Sequence, residues 1–389
     1  MKSNYEALGK HIRLVDYRNS EEVTSTVLGI SIDKEFMPSV ANVIGTDLSR
    51  YKLISKGLFA CNPMHVGRDE RLPIALYENE EPAIVSPAYF MFEIIDRTAL
   101  NEEYLMMWFR RPEFDRECWF MTDGSVRGGI TWDDLCRIQL PVPPYERQLD
   151  VVESYRAITR RIAMKKEIND NLEATAQAVF QEQFASFYGA DELPDGYRII
   201  NLDNLCTVKG GKRLPADCKL LDTPTDHPYI RVRDVGSNRY VCLTNQFQYI
   251  DEETYSAISR YIVNTGDIVI SIVGSIGLLG KIHSSLDKAN LTENCVKLAN
   301  IHTVTSDYLY YTLCYKKQIK EIDLLTVGAV QAKLPMYNIQ SMKILVPPTK
   351  AIEAFQRKMN VLNEQIEANT VEIQKLYELE EVLLAKLSD

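Results

Sequence analysis

The sequence is short of the residues that hold most metal and redox centres. Its five histidines, His11, His65, His227, His283 and His302, lie far apart, and its eight cysteines are scattered without one Cys-x-x-Cys pair. This spacing speaks against a structural zinc or a redox dithiol and leads us to expect core thiols kept reduced in a cytoplasm. No apolar run reaches the roughly 20 residues of a membrane helix; the longest candidate, 268–280, is too short and glycine-rich. The opening Met1-Lys2-Ser3-Asn4-Tyr5-Glu6 reads as mixed polar sequence rather than a secretory leader. A basic excess is missing too. The formal net charge is −10, with 16 basic and 22 acidic groups in residues 1–143 and 17 of each in residues 185–347. Bulk charge therefore does not point to nucleic acid.

Catalytic signatures fail where they are approached. A phosphate-binding loop needs four residues between its glycines, then Lys and Ser or Thr. Here Gly280-Lys281 is followed by Ile282, and Ser275 stands where the first glycine belongs. Ser86-Pro87-Ala88-Tyr89-Phe90 comes near the polar-Pro-Pro-aromatic tetrapeptide with which amino-methyltransferases hold a flipped adenine. Ala88 replaces its second proline, and Asn62-Pro63-Met64 fails similarly. A glycine-rich strand–turn–helix fingerprint for a nucleotide-like cofactor is absent. The carboxylate pairs Asp133-Asp134 and Glu80-Glu81 read as solvated turn residues. The expectation is a chain with no catalytic centre and no cofactor of its own.

What the sequence does have occurs twice. Leu140-Pro141-Val142-Pro143-Pro144 and Ile344-Leu345-Val346-Pro347-Pro348 each lead into about forty residues without Gly or Pro. Prolines stop a strand and are tolerated at a helix start. In the second copy Ile352, Phe355, Met359, Leu362, Ile366, Asn369, Ile373, Leu376, Glu380, Leu383 and Leu387 alternate spacings of three and four, and nine of the eleven are apolar. That is the pattern of a coiled-coil seam. A shift of 204 residues places the same seam on Gln148, Val151, Tyr155, Ile158, Ile162, Lys165, Asn169, Leu172, Ala176, Val179 and Gln183. The shared phase favours a mutual pair over two separate amphipathic helices.

The repeat continues upstream at the same shift. Tyr104-Leu105 matches Tyr308-Leu309, Gly124-Ser125-Val126 matches Gly328-Ala329-Val330, and Leu135 matches Ile339. With small gaps, Ser49-Arg50-Tyr51 recurs as Ser259-Arg260-Tyr261, and Gly57 before Phe59-Ala60-Cys61 as Gly266 before Ile268-Val269-Ile270. The chain reads as a tandem duplication: a globular domain over 1–143, a helix over 144–184, a second globular domain over 185–347 and a second helix over 348–389. Strands are expected at 27–32, 57–61, 83–85, 89–94 and 268–273, and helices after Asn101 and from Asp307. Tyr229-Ile230-Arg231-Val232-Arg233 alternates with period two, which would put both arginines on one face of a strand. Gly274, Gly277 and Gly280 mark a loop or tight bend. A local basic excess runs through Lys209, Lys212, Arg213, Lys219, Arg231, Arg233 and Arg239. On charge alone it fits a phosphate-facing surface or a solvated face equally well.

In order and in duplication, these residues resemble the specificity subunit of type I restriction–modification systems. The resemblance rests on Gly211-Lys212-Arg213 after a strand and on Tyr229 to Val235. It also rests on Gly266-Asp267-Ile268-Val269, Gly328-Ala329-Val330-Gln331 and the two strand–proline–helix junctions. It spans essentially the whole chain, although the first domain lacks a clear Gly-Lys-Arg and the paired arginines. The resemblance implies an α+β fold in which two target-recognition domains are separated by a pair of long helices. The first helix leaves the first domain and arrives at the second, and the second leaves the second domain, so a pair most simply runs antiparallel, as a pseudo-twofold object. It implies that each domain reads one half of a split site on double-stranded DNA while the helices set the gap. Two modification subunits would bring S-adenosylmethionine and the catalytic residues for adenine methylation, and motor subunits would join in restriction complexes. The DNA-facing residues are then expected among Lys212, Arg213, Arg231, Arg233, Ser275, Gln331 and Lys333 of the second domain and Arg50, Arg68, Arg71 and Arg127 of the first. Lys165 and Asn369, polar and equivalent in the two seams, are expected to set the register of the helix pair. Two rival readings stand beside this one: a solitary methylation or restriction enzyme with hidden catalysis, and a coiled-coil adaptor that binds only protein.

Overall fold

Two successive prolines end a strand and begin a helix at both places where the sequence repeats them. In the computed structural model, which describes residues 5–39, 45–64, 66–122, 128–236, 239–244, 246–328 and 332–388, the helices span Tyr145–Phe184 and Thr349–Ala385. The Pro144 carbonyl accepts from the backbone N–H of Arg147 at 2.9 Å and of Gln148 at 3.2 Å, and that of Pro348 from Ala351 at 2.8 Å and Ile352 at 3.2 Å. Each proline thus supplies the first acceptor of its helix without needing a donor of its own. At 1.5 Å per residue the 40-residue first helix is about 60 Å long.

The chain divides into two compact units, residues 1–164 with 375–389 and residues 165–374. The first unit contains two four-stranded sheets among its described residues. One orders Ile12–Leu14, Phe90–Ile94, Phe59–Cys61 and Ile74–Leu76; the other orders Phe36–Pro38, Val27–Ile30, Ala83–Val85 and Lys52–Ile54. A separate antiparallel pair joins Tyr5–Ala7 to Gln139–Pro141 and closes the domain where the chain leaves for the helix. Phe59 and Phe92 stack at 5.0 Å in the core. Val152 and Tyr155 of the first helix join the same cluster, with Leu384 and Leu387 from the end of the chain.

The second unit repeats the plan with a five-stranded sheet and a three-stranded one. Arg198–Asn201 pairs antiparallel with Lys343–Val346, again beside the exit to a helix. Phe180 and Phe184 of the first helix pack on Phe355 of the second, with ring centroids 6.0 and 5.6 Å apart. Lys165 meets Asn369, its Nζ donating to Oδ1 at 2.9 Å. Position falls along one helix as it rises along the other, so within this unit the helices run antiparallel. Of the expected seam, Gln148, Tyr155, Ile158, Ile162 and Ala176 in one helix and Ile352, Phe355, Met359, Ile366 and Asn369 in the other are buried.

The duplication persists down to single hydrogen bonds. The helices Glu102–Phe109, Pro112–Phe120 and Trp132–Arg137 recur as Ser306–Leu313, Lys316–Leu325 and Met336–Ser341. Asn101 and Thr305 cap the first of each set through their side chains. The buried Tyr104 hydroxyl donates to the Pro141 carbonyl at 3.2 Å, and Tyr308, 204 positions on, donates to Leu345 at 2.7 Å. Gly57 and Gly266 both take a left-handed φ, 84° and 83°, ahead of Phe59–Cys61 and Ile268–Ser271. The matched Gly124-Ser125-Val126 and Ala329-Val330 lie outside the described residues.

Two local expectations need correction. Residues 229–233 do not form one strand: Pro228–Ile230 is followed by a 3-10 turn over Val232–Asp234. The Asp234 carboxylate accepts from the Arg231 backbone N–H at 2.8 Å and its Nε at 3.1 Å, which turns the chain before Arg233 can continue the alternation. Gly280 is not part of the bend after Ser271 but lies inside the strand Leu279–Ile282. A Cβ there would come within 2.4 Å of Val241 Cγ2, so the glycine answers to close packing.

Candidate nucleic-acid interface

In the second unit, Gly211-Lys212-Arg213 continues from the strand Thr207–Gly210. The Gly211 and Lys212 N–H groups donate to Cys295 and Leu291 carbonyls at 2.9 and 2.8 Å. A Cβ on Gly211 would sit 2.0 Å from the Thr292 carbonyl oxygen, so only glycine lets the loop approach this closely. Tyr229 donates its hydroxyl to the Lys212 carbonyl at 2.8 Å, and Thr292 N–H donates to Ile230 at 3.0 Å. Residues 290–293 therefore tie the Lys212–Arg213 loop to the strand that leads into Arg231.

The basic side chains differ in how free they are. Lys212 is exposed, its Nζ 5.7 Å from the centre of the Tyr261 ring. Arg213 is 81% exposed and donates through Nε to Glu293 at 2.7 Å. Partial burial works against the Glu293 charge, but the Arg213 and Thr292 hydrogen bonds outweigh it and hold the carboxyl below its usual range. Arg233 is 63% exposed and 3.8 Å from Asp234. Arg231, by contrast, is only 16% exposed and committed to Asp234 and Gln248. Its charge is largely balanced where it sits.

Ser275 and Lys333 form a second group at the bend after Ile268–Ser271. Both are exposed. Val273 bridges to Lys333, and the Ser275 carbonyl accepts from Ser271 Oγ at 2.5 Å. Gln331 lies outside the described residues. In the first unit, Arg50 is 82% exposed beside Asp47 and Arg71 48% exposed beside Asp33. Arg68 belongs to the short helix Val66–Asp69; its side chain, like Arg127, falls outside the described set. The adjacent basic pair between helices of the first unit, Arg110 and Arg111, is committed to Tyr155 and Trp108 and is not exposed as Lys212 and Arg213 are.

These surfaces offer cations and hydrogen-bond donors, the chemistry of phosphate and base-edge contacts. Among the described residues no group of His, Cys, Asp and Glu could hold a metal ion. Among the described residues no helix is long and apolar enough to cross a membrane either. Burial pushes the Cys295 and Cys314 thiols up to about 12, far from a nucleophile's range. Lys165 and Asn369 lie together in the helix pair. Besides the bond between them, Asn369 Nδ2 donates to Asn169 Oδ1 at 2.9 Å, and Lys165 Nζ lies 2.9 Å from Glu372 Oε2.

Comparison with known proteins gives a consistent picture. Residues 194–382 match the type I restriction modification DNA specificity domain. The chain is 21% identical over 306 residues to the type I restriction enzyme MjaIX specificity subunit of Methanocaldococcus jannaschii, covering 76% of this chain and 70% of that one. It is 19% identical to the putative MjaX specificity subunit of the same organism, over 96% and 85% of the two chains. The crystal structure of a type I restriction–modification S subunit from M. genitalium shares the fold, with a TM-score of 0.50 and 14% identity over 98% of this chain and 95% of that one. Residues 194–382 thus carry the type I restriction modification DNA specificity domain, and over most of its length the chain is similar to the specificity subunits of type I restriction–modification systems.

Proposed function

We propose that this subunit reads a bipartite site on double-stranded DNA. The domains expected at 1–143 and 185–347 would each read one half, and the helix pair would fix the gap between the halves. The observation that carries this reading is the repeat itself. Each β-rich domain is closed by the same strand pairing, bears the same tyrosine-to-carbonyl bond and hands the chain to the same proline-started helix. A chain built twice in this way suits a target read in two parts, as paired DNA-binding modules do. Two modification subunits would supply S-adenosylmethionine and the methylating residues, and motor subunits would join where the system also restricts.

Lys212, Arg213 and Arg233 are the best placed of the expected contacts in the second domain, being exposed and close to the glycine-dependent loop. Ser275, Gln331 and Lys333 are proposed beside them, and Arg50, Arg68, Arg71 and Arg127 for the first domain. Arg231 is proposed chiefly as the brace of this surface. Loss of a phosphate contact weakens binding to every sequence and reduces the salt slope by about 1, whereas loss of a base contact relaxes one half-site. Salt titration of the assembled complex should therefore give a slope lower by up to about 2 for Lys212→Ala with Arg213→Ala if both touch phosphate. Methylation mapping of the same variant should show relaxation confined to one half-site if either reads a base. Unchanged affinity, slope and methylation pattern would remove both residues from the interface.

A further inference from the structure

One buried cluster in the second unit serves no surface. Arg239 and Asp307 keep 1% and 4% of their side chains exposed. Asp307 stands in the first turn of Ser306–Leu313, Lys281 in the strand Leu279–Ile282, and Arg239 just before the strand Tyr240–Val241. One oxygen of the Asp307 carboxylate, Oδ1, accepts from Arg239 Nη2 and from Lys281 Nζ, the latter at 2.6 Å. The other, Oδ2, accepts from Gln356 Nε2 at 2.6 Å and Asn363 Nδ2 at 2.7 Å. All four acceptor sites of the carboxylate are thus filled, two by the globular domain and two by the second long helix. Arg239 also reaches Asn363 Oδ1 on that helix and lies 3.6 Å from Glu173 on the first.

We propose that this cluster sets the angle and height at which the second recognition domain is fixed to the helix pair, making Gln356 and Asn363 positioning residues for half-site spacing. The inference rests on the bipartite reading proposed above. The apolar contacts at the same junction, Phe355 and Met359 against Tyr308 and Tyr311, reward area and tolerate sliding. The carboxylate does not. A slip of one helical turn, about 5.4 Å, carries both amide donors away from Oδ2 and leaves a buried charge half-solvated by the protein. Gln356 and Asn363 are seven residues apart, two turns on one helix face, so they also resist rotation about the helix axis. The first unit has no such lock at the equivalent place. Glu103, 204 residues before Asp307, pairs with Arg156 of the first long helix in a contact whose side chains are 28% and 50% exposed. An exposed pair of that kind fixes geometry weakly.

Gln356→Leu with Asn363→Leu removes the helix side of the lock and leaves the Arg239–Asp307–Lys281 contacts in place. The full complex carrying this double variant should methylate sites with both native half-sequences at more than one spacer length. We expect off-spacer sites to rise at least tenfold over the wild type. Each single variant, which retains one donor and folds more readily, should show the same shift to a smaller degree. A uniform loss of methylation at the native spacing, or an unchanged map, would overturn the positioning role, since a merely stabilising cluster changes amount and not spacing. The wild-type map made alongside tests the underlying reading separately, because a site without two halves would defeat that reading whatever the variants do.

Discussion

Replacing Arg239 by methionine is expected to destabilise the second unit by about 3–5 kcal/mol, the cost of leaving a buried charge without its partner. The methionine fills much of the same volume, so the loss is electrostatic. Burial alone would raise the Asp307 carboxyl, but Lys281 and Arg239 outweigh it and hold it at about 2. The rings of Tyr240, Tyr310 and Tyr311 surround the Arg239 guanidinium at 5.1–5.6 Å and lose their cation in the variant. The pH dependence should change with it. A carboxyl lowered from 3.8 to about 2 contributes about 2 kcal/mol. That stability is fully present above the unfolded value and lost as pH falls from about 4 towards 2. Glu173, raised by burial despite Arg239, acts with the opposite sign and makes the net slope shallower. Urea titrations at pH 7 and at pH 4 down to 2.5 should show a large loss at neutral pH and a flatter acid limb in the variant. A loss below about 1 kcal/mol at pH 7 would mean that the ion cluster relaxes freely and does not hold the junction.

Replacing Lys165 and Asn369 together by leucine should act in the other direction on stability. Asn369 is fully buried, and its contacts with Lys165 and Asn169 stand in a seam whose other positions are mostly apolar. Equivalent positions of the two helices meet here, as an antiparallel pair of repeated helices requires near its middle. Leucines would unite the seam, and thermal unfolding should stay level or rise by a few degrees, since about 1 kcal/mol corresponds to 2–4 °C for a unit of this size. Register should suffer, because a slipped pairing no longer faces a buried amide with an apolar side chain. Under the bipartite reading, methylation maps of the variant complex should show a spread of spacers where the wild type shows one. A single unchanged spacer would assign register to the junctions at Pro144 and Pro348 instead.

The long helices, their seam and the duplication were legible in the sequence because period and repeat are properties of order along the chain. The 204-residue shift found the paired tyrosines and the paired left-handed glycines for the same reason. Arg231 was misread as part of a strand because alternation is weak evidence over five residues, and one aspartate three positions on bends the chain. The Gly211-Lys212-Arg213 loop was visible, and its glycine is now explained by the Thr292 carbonyl it lies against. The Asp307 cluster was invisible. Its members come from a loop, a strand and two helices, and only the folded chain collects them. Nothing in the spacing of Arg239, Lys281, Asp307, Gln356 and Asn363 distinguishes them from surface residues.

The central claim, that the two domains read DNA independently, is tested most directly by exchange. Residues 1–143 would be replaced by the corresponding segment of a family member whose methylated sequence has been mapped, with residues 144–389 kept. Methylation mapping of the chimera in a host lacking other adenine methylation should then show one half-site changed to that of the donor. The other half-site and the spacer should match those of the parent chain. A change in both halves, or in neither, would contradict the account.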